Sequence, residues 1–475
     1  MPEQQASSNR ALRILVPLAM LVVGLVVTWS VSRNSAPKSG QVQPAAATPS
    51  APTGGTSVAS QPAGQGAGDE KSPVADQKSA GDQSPSMSAA PPAPAPANAT
   101  SGYRAAVFAG DPLAANFASL GSLDPKVAKG LLEFSSIGAG IKDFRFSEHH
   151  TDWRRTEHYK VQNETVVSNA VSADGSIAPA TLTPMAALAI EVNGQFVVLA
   201  SSDRGPTWRQ VAADRPGVFE AFVEDGQGAR ILRIERRYVV GKAYDIQVHQ
   251  DIENLTSAEV KVRWLQLGPV DLPHVADGYG GDRRRMPFGY VAPPEVDPAR
   301  SVVMARDYVS QLRTALVGPL TTMGYAAESS VWPDLNATQK RLEVSWVAMV
   351  NRYFGAAVHV LTPADGAAGS RVLSWVQDIK RIAVNHRNPD GTFGDPYLAY
   401  RLDSKPVAIA PGGRSDMSLG MWVGPLSRPA IKDEPSAEAA GLGGMIVNNM
   451  GGPCGFCTFD TITMLLRGVL HFLHD

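Results

Sequence analysis

Apolar and polar positions divide the chain into four zones. Residues Ile14 to Val31, ILVPLAMLVVGLVVTWSV, run for 18 positions without a charge. At 1.5 Å rise per residue that length matches a hydrocarbon core of about 30 Å. The run predicts an N-terminal transmembrane anchor over residues 1–33. A cleaved signal peptide is the competing form, with an apolar stretch of about 7–15 residues and a small-residue cleavage site. Here the run is longer, and the following TWSVSRNSAPK has no A-x-A. Arg10 and Arg13 precede the run and Arg33 and Lys38 follow it, so the positive-inside rule encodes orientation weakly. Residues 34–102 are mostly Ala, Pro, Ser, Gly and Gln, too poor in apolar surface to offset the entropy of ordering. They predict a disordered tether that spans roughly 45 Å on average as a flexible coil.

From residue 103 the pattern changes to short β-branched and aromatic runs separated by turn residues. Candidate strands are LLEFSSI, ALAIEV, QFVVLAS, GVFEAFVED, ARILRIERRYVV, AYDIQVHQDIEN, EVKVRWLQLGPV, LEVSWVAMVN, GAAVHVLTP and MSLGMWVGP. In AYDIQVHQDIEN, Tyr244, Ile246, Val248 and Gln250 alternate with Asp245, Gln247 and His249. That period of two predicts an antiparallel strand with one face in the core and the other wet. Gly, Asn and Pro turns such as NPDGTFGDP join the runs. The expected fold over residues 103–440 is mainly β, a large antiparallel sandwich.

Residues 441–475 read as a connector and an amphipathic helix. Asp460, Thr463, Arg467, His471 and His474 form a polar stripe, opposite Phe459, Ile462, Leu465, Leu466, Val469, Phe472 and Leu473. Such a helix suits a membrane interface, its apolar face lying about 5–10 Å deep, or a packed core. Cys454 and Cys457 with His471 and His474 mimic a zinc-finger set, but only two residues separate the histidines, against the three to five that fingers use. The same two cysteines lack the βαβ setting of a thioredoxin-like pair, although an oxidising compartment would allow a local disulfide.

The net charge of −2 and the 19% charged fraction offer no general basic surface, which argues against nucleic acid as a partner. With only two cysteines in the chain, no disulfide framework holds the β-rich region.

Three stretches, in order, resemble the periplasmic domain of YidC-type membrane protein insertases. LLEFSSIGAGIKDFRF (131–146) is similar to that domain's opening strand, Gly turn and second strand. There Gly138 and Gly140 fit a tight reversal with positive φ. RRYVVGKAYDIQVHQDIENLTSAEVKVRWLQLGP (236–269) looks like its central strands, and WVAMVNRYFGAAV (346–358) like its Trp strand leading to a basic-aromatic pair and Phe. The resemblance implies a galactose-mutarotase-like β-supersandwich in the periplasm, anchored in the inner membrane. It also implies a chain cut before the insertase helices, whose groove holds a membrane-buried Arg. It carries no covalent chemistry and no cofactor, so no residue here is assigned a catalytic, cofactor-binding or metal-ligating role. Implied partners are the lipid bilayer, nascent membrane proteins and Sec translocon components.

Other clusters weigh less. The basic stretch GDRRRMPFG (281–289) reads as a solvated loop, or as a contact for anionic headgroups. EHHTDWRRTEHY (148–159) gathers His149, His150, Asp152, Glu157 and His158, without the H-E-x-x-H spacing of a metal helix. Asn98, Asn163, Asn254 and Asn336 begin sequons, patterns short enough to arise by chance. The alternative function is a membrane-anchored carbohydrate-binding or mutarotase-like protein. It needs a His and a carboxylate converging in a cleft, and His249, His274, His359 and His386 stand scattered beside ordinary strand or turn residues.

Overall fold

A computed structural model describes residues 102–108, 117–172, 175–200, 205–241, 244–273, 284–304, 327–361 and 371–446. The chain divides into two units, Met1–Ala90 and Pro91–Asp475, and all described residues belong to the second. The anchor run 14–31, most of the linker, His274, Arg283, and the Cys454/Cys457 segment with its amphipathic helix lie outside them. Among the described residues no helix is long and apolar enough to cross a membrane.

All ten candidate runs contain strands. The larger sheet has eleven strands, with a central order of 218–224, 230–240, 245–254, 419–425, 354–359, 343–350 and 288–291. A seven-stranded sheet runs 327–332, 376–384, 397–404, 260–270, 187–192 and 195–198 along its main path. The pairings within both are antiparallel. A four-stranded sheet (120–121, 130–134, 141–150, 158–163) and the hairpin 165–171/177–182 complete the β structure. The result is the mainly β antiparallel sandwich that the period-two runs predict.

The sheets enclose a main apolar core that includes Trp208, Trp264, Trp346 and Trp422, each at most 1% exposed, with two smaller apolar clusters beside it. The two large sheets meet at Gly268, where a Cβ would stand 3.7 Å from Val358 of the other sheet and 2.9 Å from Leu402 on the neighbouring strand of its own. The turn between 130–134 and 141–150 has positive φ at Gly138 and Ala139, a conformation open to glycine without strain. Gly140, expected to share it, serves close approach instead: a Cβ there would lie 2.8 Å from the Pro184 carbonyl oxygen. Two buried side chains tie this turn to the larger sheet. Arg236 Nη1 donates to the Gly138 carbonyl at 3.0 Å, and the Tyr238 hydroxyl to that of Ala139 at 2.8 Å. Burial pushes the Arg236 pKa down and the Tyr238 pKa up.

The expected alternation in 245–254 holds for Ile246, Val248, Gln250 and Ile252, all buried between half-buried neighbours. Asp245, assigned to the wet face, is instead 2% exposed. The helical turns Arg428–Lys432, Pro435–Ala439 and Leu442–Met445 form a strap after strand 419–425. They bury Ile431, Ala437, Ala440, Leu442 and Met445, and Ser436 of the strap meets Asp245. Packed structure therefore continues past residue 440.

Candidate functional site

A cleft of about 580 Å3 opens where the end of strand 260–270 meets the loop 385–396 and the junction of strands 158–163 and 165–171. Buried Gln162 sets this junction. Its amide donates to the Val270 carbonyl at 2.9 Å and accepts from the Val270 N–H at 2.9 Å. The next residues of the two strands, Asn163 and Asp271, thereby both line the cleft. Paired exchange with the N–H and C=O of one residue fixes register because a buried backbone group must find a partner.

Loop 385–396 contains the turn read as NPDGTFGDP, and it is tightly organised. The Asn388 N–H donates to the Thr392 carbonyl at 2.8 Å, Asp390 accepts from the Thr392 N–H at 2.9 Å, and Gly391 takes φ +83°. The loop returns on itself through the Gly394 N–H, which donates to the His386 carbonyl at 3.0 Å. The His386 ring lies against Gly394, where a Cβ would stand within 2.9 Å of three ring atoms. The other side of the ring faces Tyr397, 5.4 Å between centroids. His386 Nδ1 is buried without a hydrogen-bond partner.

Arg284 is the cation of the site. Its guanidinium reaches Asp271 at 3.4 Å and Asp395 at 3.4 Å, and also donates to the Leu272 carbonyl at 3.4 Å. Arg284 and Asp271 side chains are each 11% exposed, Asp395 61%. The reading of the basic stretch as a solvated loop is thus corrected at Arg284, which is held in the cleft by two carboxylates. Burial strengthens such charge-assisted contacts because few waters compete for them. A guanidinium, two carboxylates, an imidazole, side-chain amides from Asn163 and Asn388, and the Tyr397 ring converge here. That set offers donors and acceptors for a hydroxyl-rich ligand and an apolar face to stack against it.

The structure distributes the remaining candidate residues elsewhere. His149 packs among Phe146, Tyr244 and Phe354, 5.1 Å from Phe146 and Phe354, and burial pushes its pKa down. His150 and His158 face each other across the hairpin at 4.6 Å, and His158 Nδ1 lies 2.8 Å from the Phe146 carbonyl. His249 is half-buried beside Gln247. His359 is fully buried against Asp245. Asn254 is 0% exposed and its amide donates to Ala258 and Ile409 carbonyls, so its sequon is a core hydrogen-bonding position. In the sequence His386 lies far from Asp271, and His359 far from Asp245. The structure contains His386 with Asp271 and Asp395 around one cleft, and His359 with Asp245 beneath the strap.

No family model and no curated protein matches the chain. Solved structures do. A GalM/aldose epimerase homologue from C. elegans is 9% identical, covering 62% of this chain and 96% of its own, with a TM-score of 0.32. A putative aldose 1-epimerase from Klebsiella pneumoniae is 10% identical over 68% and 91%, TM-score 0.31. The Slr1438 protein from Synechocystis is 8% identical over 65% and 96%, TM-score 0.31. What the chain's own strands establish is a mainly β antiparallel sandwich.

Proposed function

We propose that this chain is the anchor, tether and extracytoplasmic β-supersandwich of a YidC-type membrane protein insertase. In this reading the domain stands in the periplasm on an inner-membrane anchor, beside nascent membrane proteins and Sec translocon components. One observation carries the reading: the three family-like stretches fall, in order, on structurally central pieces. Residues 131–146 span the hairpin 130–134/141–150. Residues 236–269 supply neighbouring strands 230–240 and 245–254 to the larger sheet and 260–270 to the other. Residues 346–358 span the hairpin 343–350/354–359. The supersandwich that the resemblance implies agrees with this architecture. The domain's part is positioning and partner contact, and none of its residues carries the insertion step.

Photocross-linkers at the exposed positions Trp153, Phe196 and Leu335 test the proposal in membranes translating an inner-membrane protein. Adducts with the nascent chain or a Sec component are expected from at least one position. Absence of both from all three contradicts it.

A second reading, a saccharide ligand, is favoured by the cleft. Arg284 held between Asp271 and Asp395, with His386 and Tyr397 alongside, matches the hydrogen-bonding demands of a sugar. Sugar ring opening needs a base for the anomeric hydroxyl and an acid for the ring oxygen, and His386 with a cleft carboxylate supplies both types. Calorimetry against a panel of hexoses measures binding, and polarimetry measures mutarotation. Arg284→Ala is expected to weaken any binding about tenfold or more, the loss of a charge-assisted hydrogen bond. Absence of both heat and rotation for every hexose removes this reading and leaves the first untouched.

A further inference from the structure

We propose that Asp245, His359 and Ser436 form a proton-operated latch that holds the helical strap 428–446 on the outer face of the larger sheet and releases it in alkaline medium.

The latch is built by register. His359 pairs with Gly420, and Asp245 with Trp422, so His359 and Asp245 sit on strands flanking 419–425. The His359 ring reaches Asp245 by lying over Gly420, where a Cβ would stand within 2.8 Å of three ring atoms. Nε2 is 2.8 Å from Asp245 Oδ1, and Nδ1 is 2.8 Å from the Val360 carbonyl oxygen. The other carboxylate oxygen, Oδ2, accepts the Ser436 hydroxyl at 2.5 Å. Ser436 donates to the carboxylate rather than to the histidine, and all three residues are buried. The arrangement therefore clamps the strap and does not activate a nucleophile.

Both ring nitrogens of His359 face atoms that can only accept. A neutral imidazole has a single N–H and leaves one nitrogen lone pair against an oxygen, whereas the imidazolium satisfies both. Removing the proton strands the buried Asp245 carboxylate without its cation, a strongly unfavourable state. Burial pulls the His359 pKa down, but Asp245, the Val360 carbonyl and Glu434 more than offset this and leave it above its ordinary value. Glu434, one of three acids on the strap with Asp433 and Glu438, lies 3.4 Å from the Ser436 hydroxyl. Its pKa is raised by burial and then by Asp245. From the neighbouring strands, the groups paired with His359 are Trp346 and Gly420, both uncharged.

The signs agree. A histidine with a raised folded pKa stabilises the closed strap fully below its ordinary value of about 6.5, and that stability is lost as pH rises through the folded pKa. Glu434 acts in the same direction, because its protonated form is the one the closed strap favours. Beyond the latch, the strap is held by a few apolar side chains and by contacts such as the Ser345 hydroxyl on the Ala440 carbonyl at 3.4 Å.

Hydrogen exchange on the full chain at pH 6 and pH 9, corrected for intrinsic rates, tests the latch in peptides covering 428–446, with strand 260–270 as internal reference. The strap is expected to lose protection roughly tenfold for each unit by which the folded pKa exceeds the ordinary one, while the reference stays protected. In His359→Gln, which keeps a donor but cannot titrate, strap protection is expected to be nearly independent of pH. Ser436→Ala, which leaves the Asp245–His359 pair in place, is expected to lower strap protection at pH 6. An unchanged strap between the two pH values in the native chain, an undiminished pH response in His359→Gln, or full protection in Ser436→Ala overturns the proposal.

Discussion

At three places a glycine faces a ring that its own side chain would exclude. Gly289 lies under Trp346, Gly394 under His386 and Gly420 under His359, each leaving less than 3 Å to several ring atoms from a hypothetical Cβ. Interiors packed at crystal density give such rings little room to move. Gly420→Ala therefore forces His359 off Asp245. Urea unfolding is expected to register a loss of about 1–3 kcal/mol, the usual penalty of overpacking, and an unchanged midpoint contradicts the account. These partnerships were not legible in the sequence. His359 and Asp245 are 114 positions apart, Arg284 and Asp395 are 111 apart, and only sheet register brings them together. What could be read was residue type: Arg284 stood out as part of a basic run, and a run of like charge is ordinarily a solvated surface.

Legibility was greater for elements. Strands with one face on the core announce themselves by alternation, and so 187–192, 230–240 and 245–254 could be read directly. Strands 376–384 and 397–404 escaped. The first, VQDIKRIAV, breaks the period of two at Arg381, which shares a face with the buried Ile379 and Ala383 and pairs with buried Tyr400. The second, YLAYRLDS, is buried at Leu398, Ala399, Tyr400, Leu402, Asp403 and Ser404, including polar side chains that a hydrophobic pattern does not register. Asp403 is held there by Arg401 at 2.8 Å and Arg263 at 3.2 Å, which accounts for a carboxylate at 1% exposure. The junction between sheets is equally specific. Gln162→Leu removes the side-chain partner of both the Val270 N–H and the Val270 C=O, leaving each buried group unpaired there at about 1–3 kcal/mol. Thermal denaturation of this variant is expected to fall by several degrees, and any saccharide affinity of the cleft to fall with it. A midpoint equal to that of the native chain contradicts the role given to Gln162.

On the scale of the whole molecule, the sequence divides the labour by composition. An apolar run of 18 positions, a stretch rich in Ala, Pro, Ser, Gly and Gln, and a region of many short β-branched and aromatic runs follow one another along the chain. The body's fold was legible as an antiparallel sandwich because its strands are many and short. Its cleft was not, because Asn163, Asp271, Arg284, His386 and Asp395 come from four separate regions of the chain. The account rests on one arrangement: a folded body outside the cytoplasm, leashed to the bilayer. Sodium carbonate extraction of membranes carrying the full chain, combined with protease treatment of intact spheroplasts, tests it most directly. The prediction is retention in the carbonate-resistant pellet together with cleavage of the tether by protease added from outside. Release of the chain by carbonate, or a tether that external protease cannot reach, contradicts it.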